Sequence, residues 1–434
     1  MSTESSSNGA SSQDTRFWHP FADMNAVRGH EVVIDRAEGI WIYDTDGRRF
    51  LDGTASLWYA NVGHGRTEIA DRVREQMAKL EAYSTFGDWS NEPAMELAAR
   101  LSEHAPMPDA RVFFTTGGGE SIDTAAKLVR QYWSVEGRPG KVHMITRSAA
   151  YHGTNGFGTS LGGIEPNRVG FGPLVLDTSN VVHDSVAALE EEILRIGPDR
   201  VAAFFAEPVI GAGGVYPPAD GYLEGVAAVC AEYDVLFIAD SVICAFGRLG
   251  SWFGVERWAL QPDMIVFAKG VTSGYLPLGG VVASARVAEP FWSAPGHVFR
   301  HGATYAGHAA CCAAGLANLD ILEREDLIPR GAELEDTLYR ALSGLADHEL
   351  VTEIRGGTGL MGAVGLDLDA GATVVADVFA ATRERGVLTR PLGAGLAMSP
   401  PLTIAPDEIE FMASAIGEAL DAVVSARGTA GGTH

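Results

Sequence analysis

From about Arg66 the chain alternates short, continuous apolar runs with amphipathic stretches. The apolar runs RVFF (111–114), VHMIT (142–146), VAAFFA (201–206), VLFIA (235–239), MIVFA (264–268) and GGVVAS (279–284) read as strands. Residues 66–81, 93–104, 120–133, 185–195 and 221–233 read as helices between them. In one of these, Ile122, Ala125, Ala126, Val129 and Trp133 fall on a single stripe. Strands apolar along their whole length and separated by helices predict an α/β fold, with a mainly parallel sheet buried on both faces. Ahead of this region, EVVIDRAEGIWIYDTDGRRFLDG, from Glu31, reads as an antiparallel meander of three short strands. A long helix from about Ala306 to Arg324 leads into a mixed final third: IRGGTGLMGAVGL, a helix, GVLTRPLGAGLAMSPPL, and a last helix from Pro406.

The organisation expected is a large domain at 67–317 and a smaller α+β domain built from both termini, 16–66 and 318–427. The C-terminal part is expected to share a sheet with the meander. Residues 1–15 and 428–434 are polar or glycine-rich and read as disordered tails.

Composition narrows the function. The chain has 434 residues, 46% of them hydrophobic, ample for a sizeable core. Its 56 acidic residues against 32 basic give a charge of -24, which repels phosphate backbones and anionic lipid. No nucleic-acid or membrane partner is therefore expected. No run reaches the ~18 apolar residues of a spanning helix, and MSTESSSNGASSQDT lacks the basic and apolar regions of a signal peptide. Cys230, Cys244, Cys311 and Cys312 show no metal-ligand spacing and read as reduced, buried thiols. The expectation is a cytoplasmic protein without a metal. Only Lys79, Lys127, Lys141 and Lys269 offer a primary amine on a side chain.

Ligands of an open parallel sheet bind beyond the carboxyl ends of its strands, so the residues that follow each strand matter most. RVFF is followed by TTGGGES, VHMIT by RSAAYHG, VAAFFA by Glu207, VLFIA by Asp240 and MIVFA by Lys269. A glycine loop opening a helix suits a phosphate, though taken alone a triple glycine reads first as a tight turn. It is neither a dinucleotide fingerprint nor a P-loop, since Ile122 stands where a third glycine would and no GK[ST] follows. Lys269, at the end of an apolar strand, would be desolvated and nucleophilic, whereas Lys79, Lys127 and Lys141 read as surface lysines. Asp240 is a helix N-cap, a partner of a structural arginine, or the partner of a protonated ring nitrogen, since a buried carboxylate left alone is costly.

These segments, together with FLDGTASLWYANVGHGR (50–66), FFAEPVIGAGGVYPPADGY (204–222), ADSVICAFGRLG (239–250), HGATYAGHAACCAAGLA (301–317) and RPLG…SPPL (390–402), resemble the class III aminotransferases. These are enzymes of the pyridoxal-phosphate fold type I group, and the likeness is to their ω-transaminase branch. The resemblance spans residues 16–425. It implies pyridoxal 5'-phosphate as cofactor, with Lys269 forming the internal aldimine and moving the proton, and Asp240 holding the pyridinium. Tyr151 and Val242 would flank the ring, with His152 and Glu207 nearby, and Gly118 and Gly119 would meet the phosphate. Thr304 would reach the phosphate of a neighbouring subunit, which implies a homodimer with shared sites, able to pair into tetramers. Arg390 resembles the arginine that grips a keto acid's carboxylate. Trp58, Tyr59 and Phe86 would line the pocket for the amine's organic group.

The implied reaction is ping-pong transfer of an amino group from an amine or ω-amino acid to a keto acid, pyruvate. A decarboxylase, an aminomutase, a nicotinamide oxidoreductase or a non-catalytic binder are the rivals. Two departures stand out. The family's TNSGSE is here TTGGGE, so Gly117 and Gly119 replace serines and their hydroxyls, unless Thr115 or Thr116 compensates. The family's Asp-Glu-Val is here Asp240-Ser241-Val242.

Overall fold

The computed structural model describes the backbone of residues 15–430, and side chains as far as residue 427. Its strands are β1 Ile34–Glu38, β2 Trp41–Asp44, β3 Arg49–Asp52, β4 Arg111–Thr115, β5 His143–Arg147, β6 Thr178–Val181, β7 Val201–Ala206 and β8 Leu236–Asp240. They continue with β9 Met264–Phe267, β10 Gly279–Ala283, β11 Val351–Arg355, β12 Gly362–Leu366, β13 Val387–Leu388, β14 Arg390–Leu392 and β15 Gly395–Met398.

The central sheet has seven strands in the order β4-β10-β9-β8-β7-β5-β6. Only β10 runs against the others, pairing antiparallel with both β4 and β9. The whole-strand apolar runs arise because both faces are covered. Phe204 and Phe237 face one core cluster, while Phe205 and Ile238 face another, packed under the helix Gly118–Val135. The edge strand β6, with sequence TSNV and mostly half-buried residues, carries no apolar signal and was not foreseen.

Outside this sheet, β1, β2 and β3 form the expected meander, and β13 joins it by pairing parallel with β3. Among the described residues, strand pairing between the two ends of the chain is limited to Val387↔Leu51 and Leu388↔Asp52. The remaining C-terminal strands form their own sheet, β11-β12-β15-β14. The long helix starts at Ala309 rather than Ala306, and the last helix runs to Ala430, into the stretch expected to be a tail. The other expected tail, but for Thr15, and residues 431–434 lie outside the described residues.

Lys141 corrects the reading of it as a surface lysine. It is 1% exposed, donates to the carbonyls of Pro198 (3.1 Å) and Tyr233 (3.5 Å), and lies 4.5 Å from the centre of the Trp133 ring. Burial pulls its pKa down to about 8. Nothing in its local sequence, GRPGKVH, announces this.

Candidate active site

A cleft of about 900 Å³ opens beyond the carboxyl ends of the parallel strands. Its floor is Asp240, the last residue of β8, which is 4% exposed. Oδ1 accepts the Val242 N–H at 3.1 Å, and Oδ2 lies 2.8 Å from His152 Nδ1. His152 Nε2 lies 2.9 Å from Thr146 Oγ1, so with Nδ1 protonated the imidazole donates to Asp240 and accepts from the threonine. Among the described residues no lysine or arginine forms an ion pair with Asp240.

Lys269 follows β9 with φ +48, a left-handed conformation that costs a non-glycine residue free energy. The turn directs its side chain into the cleft beside Asp240 and Glu207. Desolvation pulls its pKa down to about 8, against the opposing pull of those two carboxylates. Glu207, just past β7, accepts the Tyr151 N–H at 3.0 Å and the Gly211 N–H at 2.9 Å. Burial, reinforced by Asp240, pushes its pKa up.

On the opposite wall the helix Gly118–Val135 presents its first turn to the cleft, where backbone N–H groups lack helical partners. A Cβ on Gly118 would come within 3.0 Å of Val242 Cγ1, so a side chain here would crowd the residue that lines the cleft opposite. The neighbouring hydroxyls are already committed. Thr115 Oγ1 is 2.6 Å from Ser121 Oγ, and Thr116 Oγ1 donates to Glu120 Oε2 at 2.8 Å. Neither threonine proton is free to stand in for a missing serine.

Arg390 opens β14 and reaches the cleft half-buried. Its guanidinium makes no ion pair among the described residues, and burial lowers its pKa. Trp58 lines the same cleft from a turn in which Ala55, Ser56 and Trp58 all have positive φ. Asp52 braces that turn by accepting the Ser56 N–H at 2.6 Å and the Thr54 N–H at 3.2 Å.

The cleft thus gathers Trp58, Gly118, Gly119, Tyr151, His152, Glu207, Asp240, Val242, Lys269 and Arg390. Tyr59, Phe86 and Thr304 do not line it in the single chain. Tyr59 bonds Ser56 and packs on Gly274, Phe86 lies exposed against Gly302, and Thr304 is exposed. Pro20, Phe21 and Asn155 also line the cleft and were not foreseen. Asn155 follows the singled-out AAYHG, and that proximity was its only signal.

A buried carboxylate that no lysine or arginine pairs with among the described residues, a desolvated lysine and a helix N-terminus whose glycine is closely packed form one donor set. It suits a group with a ring nitrogen to protonate, an aldehyde and a phosphate, and pyridoxal 5'-phosphate has all three. The fold and site therefore define a pyridoxal-phosphate enzyme of fold type I. The match to the family model for class-III aminotransferases covers residues 24–420, and the chain belongs to that family. It is 36% identical to the putrescine–pyruvate aminotransferase of Pseudomonas aeruginosa over 94% of each chain. It is 38% identical to the diaminobutyrate–2-oxoglutarate transaminase of Halomonas elongata over 91% of each. Its fold matches an (S)-enantioselective ω-transaminase from Thermomicrobium roseum with a TM-score of 0.90 and 40% identity, covering 93% of this chain and 96% of that one. An amine transaminase from an uncultivated Pseudomonas species, solved in its PLP-bound form, matches equally at 0.90, with 36% identity over 94% and 99% of the two chains. The protein is an aminotransferase, and its cofactor is pyridoxal 5'-phosphate.

Proposed function

We propose that the enzyme moves the amino group of an amine or ω-amino acid to a 2-oxo acid carrying one carboxylate, pyruvate, in two half-reactions within one cleft. The observation that carries this reading is Arg390, an unpaired, half-buried guanidinium facing the same cleft as Lys269. A guanidinium held in that state is a binding site for a carboxylate. Apart from Lys269 it is the only lysine or arginine among the described residues that line the cleft, which favours an acceptor with one carboxylate.

Gly118 and Gly119 would hold the cofactor's phosphate, Asp240 its ring nitrogen, and Tyr151 and Val242 its faces. Once bound, the cofactor supplies a ring that draws off the electron pair left when the substrate's Cα loses its proton. Lys269 Nζ takes that proton and returns it, and a pKa of about 8 leaves part of the amine neutral near physiological pH. His152 keeps Asp240 oriented, while Trp58 and Leu57 give the amine's organic group an apolar wall.

The reading extends to a large domain over 67–317, with a small domain formed from both ends. It also extends to a cytoplasmic homodimer. Exposed Thr304, with Tyr83, Phe86, Trp89 and Tyr305 each more than half exposed, supports a second copy covering this face and completing the site. Arg390→Ala tests the substrate assignment. Losing one charge-assisted contact of about 1.5–3 kcal/mol should raise KM for pyruvate by roughly 10–100-fold and leave an uncharged amine almost unaffected. Equal losses for both substrates would refute it.

A further inference from the structure

Arg248 is among the largest side chains that are wholly buried, and among the described residues it makes no contact ion pair, although the charge of buried Asp52 acts on it. Burial lowers its pKa to about 10, so it is still charged at neutral pH. A buried charge without a counterion in contact is costly and depends on the hydrogen bonds it makes. Here NH1 donates to Leu360 O at 2.8 Å and Pro400 O at 2.7 Å, and NH2 donates to Asn61 Oδ1 at 3.2 Å, while Nε has no hydrogen-bond partner among the described residues. The backbone adds a further tie, Leu360 N–H to Arg248 O at 2.9 Å.

These acceptors are widely separated in sequence, yet each lies close to a residue of the cleft. Leu360 leads into β12 and Pro400 follows β15, and the sheet order β12-β15-β14 places Arg390 on the adjoining strand, paired with Ala397. Asn61 ends the turn that carries Trp58 and is itself fixed, donating to Phe246 O at 2.8 Å and accepting the Leu402 N–H at 2.9 Å. Its amide also packs on the residue after Lys269, where a Cβ on Gly270 would fall 2.7 Å from Asn61 Nδ2.

We infer that Arg248 is a positioning residue for carboxylate recognition. By joining the Trp58 turn to two segments at the end of the sheet where Arg390 stands, against the Lys269 loop, it sets where Arg390 stands relative to the reacting amine. The inference rests on the reading of Arg390 as the carboxylate site. A lysine at 248 keeps the charge but not the fork that reaches carbonyls and amide together.

The test is a double-mutant cycle on the holoenzyme with Arg248→Lys, Arg390→Ala and both together. Arg248→Lys should raise KM for pyruvate about tenfold, the scale of a misplacement below 1 Å. Its amine half-reaction, followed by bleaching of the cofactor band with 1-phenylethylamine alone, should slow clearly less, by no more than about threefold through the Trp58 turn. In the Arg390→Ala background, Arg248→Lys should add no further increase in KM. Asn61→Ser should show the same pattern at smaller amplitude, which covers the case in which Arg248→Lys does not fold. If Arg390→Ala leaves KM for pyruvate unchanged, the reading of Arg390 falls, and this inference falls with it. If Arg390→Ala raises KM but Arg248→Lys adds its full effect on top, or slows the amine half-reaction equally, then Arg248 is structural only and this inference alone is overturned.

Discussion

Restoring serines at 117 and 119 should tighten cofactor binding. Gly117 has φ 170, an extended conformation open to any residue, and a Cβ placed there meets no atom within 4 Å. At Gly119 the nearest atom to an added Cβ is Asn155 Oδ1 at 3.5 Å, an ordinary contact. Both side chains therefore fit without displacing the helix N-terminus. Each new hydroxyl donating to a phosphate dianion is worth about 1.5 kcal/mol net. Fixing the two rotamers costs about 0.5 kcal/mol each. The balance of about 2 kcal/mol corresponds to a Kd lower by about thirtyfold. The link to Lys269 is common to both proteins and cancels. The assay is a fluorescence titration of cofactor-free Gly117→Ser/Gly119→Ser protein with pyridoxal 5'-phosphate, beside the parent. Gly118→Ala is the counter-control and should weaken binding, because its methyl group would press on Val242 at 3.0 Å. An unchanged or higher Kd for the double serine variant, with Tm preserved, would refute the argument that this loop lacks hydroxyl donors.

Two pH dependences follow from the desolvated lysines. Cofactor-free enzyme should take up pyridoxal 5'-phosphate faster as pH rises and level off above about 8, where Lys269 is neutral, in stopped-flow absorbance. A rate still climbing towards pH 10 would mean that the amine is not desolvated. For Lys141 the folded pKa lies below the unfolded one, about 8 against 10.5, so the unfolded chain binds more protons between those values. Stability should then rise across that window by about 1–3 kcal/mol relative to Lys141→Met, measured by urea denaturation at pH 7.5 and 10. Parallel profiles for the two proteins would show that Lys141 is hydrated.

The central sheet was legible because burial on both faces writes itself into composition, and each apolar run from RVFF to GGVVAS is a strand. The direction of β10 was not, since an apolar pattern is the same for a strand running either way. Edge strand β6 escaped for the opposite reason, because polar, half-buried TSNV has no burial to advertise. Lys141 was misread because its partners, Pro198 and Tyr233, are carbonyls far along the chain, and carbonyls are the same in every residue.

The same distinction explains which parts of the site could be read. Lys269, Asp240 and Glu207 were found because each ends an apolar strand, a position where an ionisable group is conspicuous against its neighbours. Arg248 is equally charged and more deeply buried, but it sits in a glycine-flanked turn, GRLG, with no apolar strand ending beside it to mark it. Its partners are two carbonyls and one amide from the opposite ends of the chain, so only the folded structure shows that it binds them together. Residues that supply chemistry announce themselves by violating local composition. Residues that set the distances between them act through main-chain groups and leave no such trace, so this layer of the site, from Asp52 under the Trp58 turn to Arg248 behind Arg390, has to be read from the geometry.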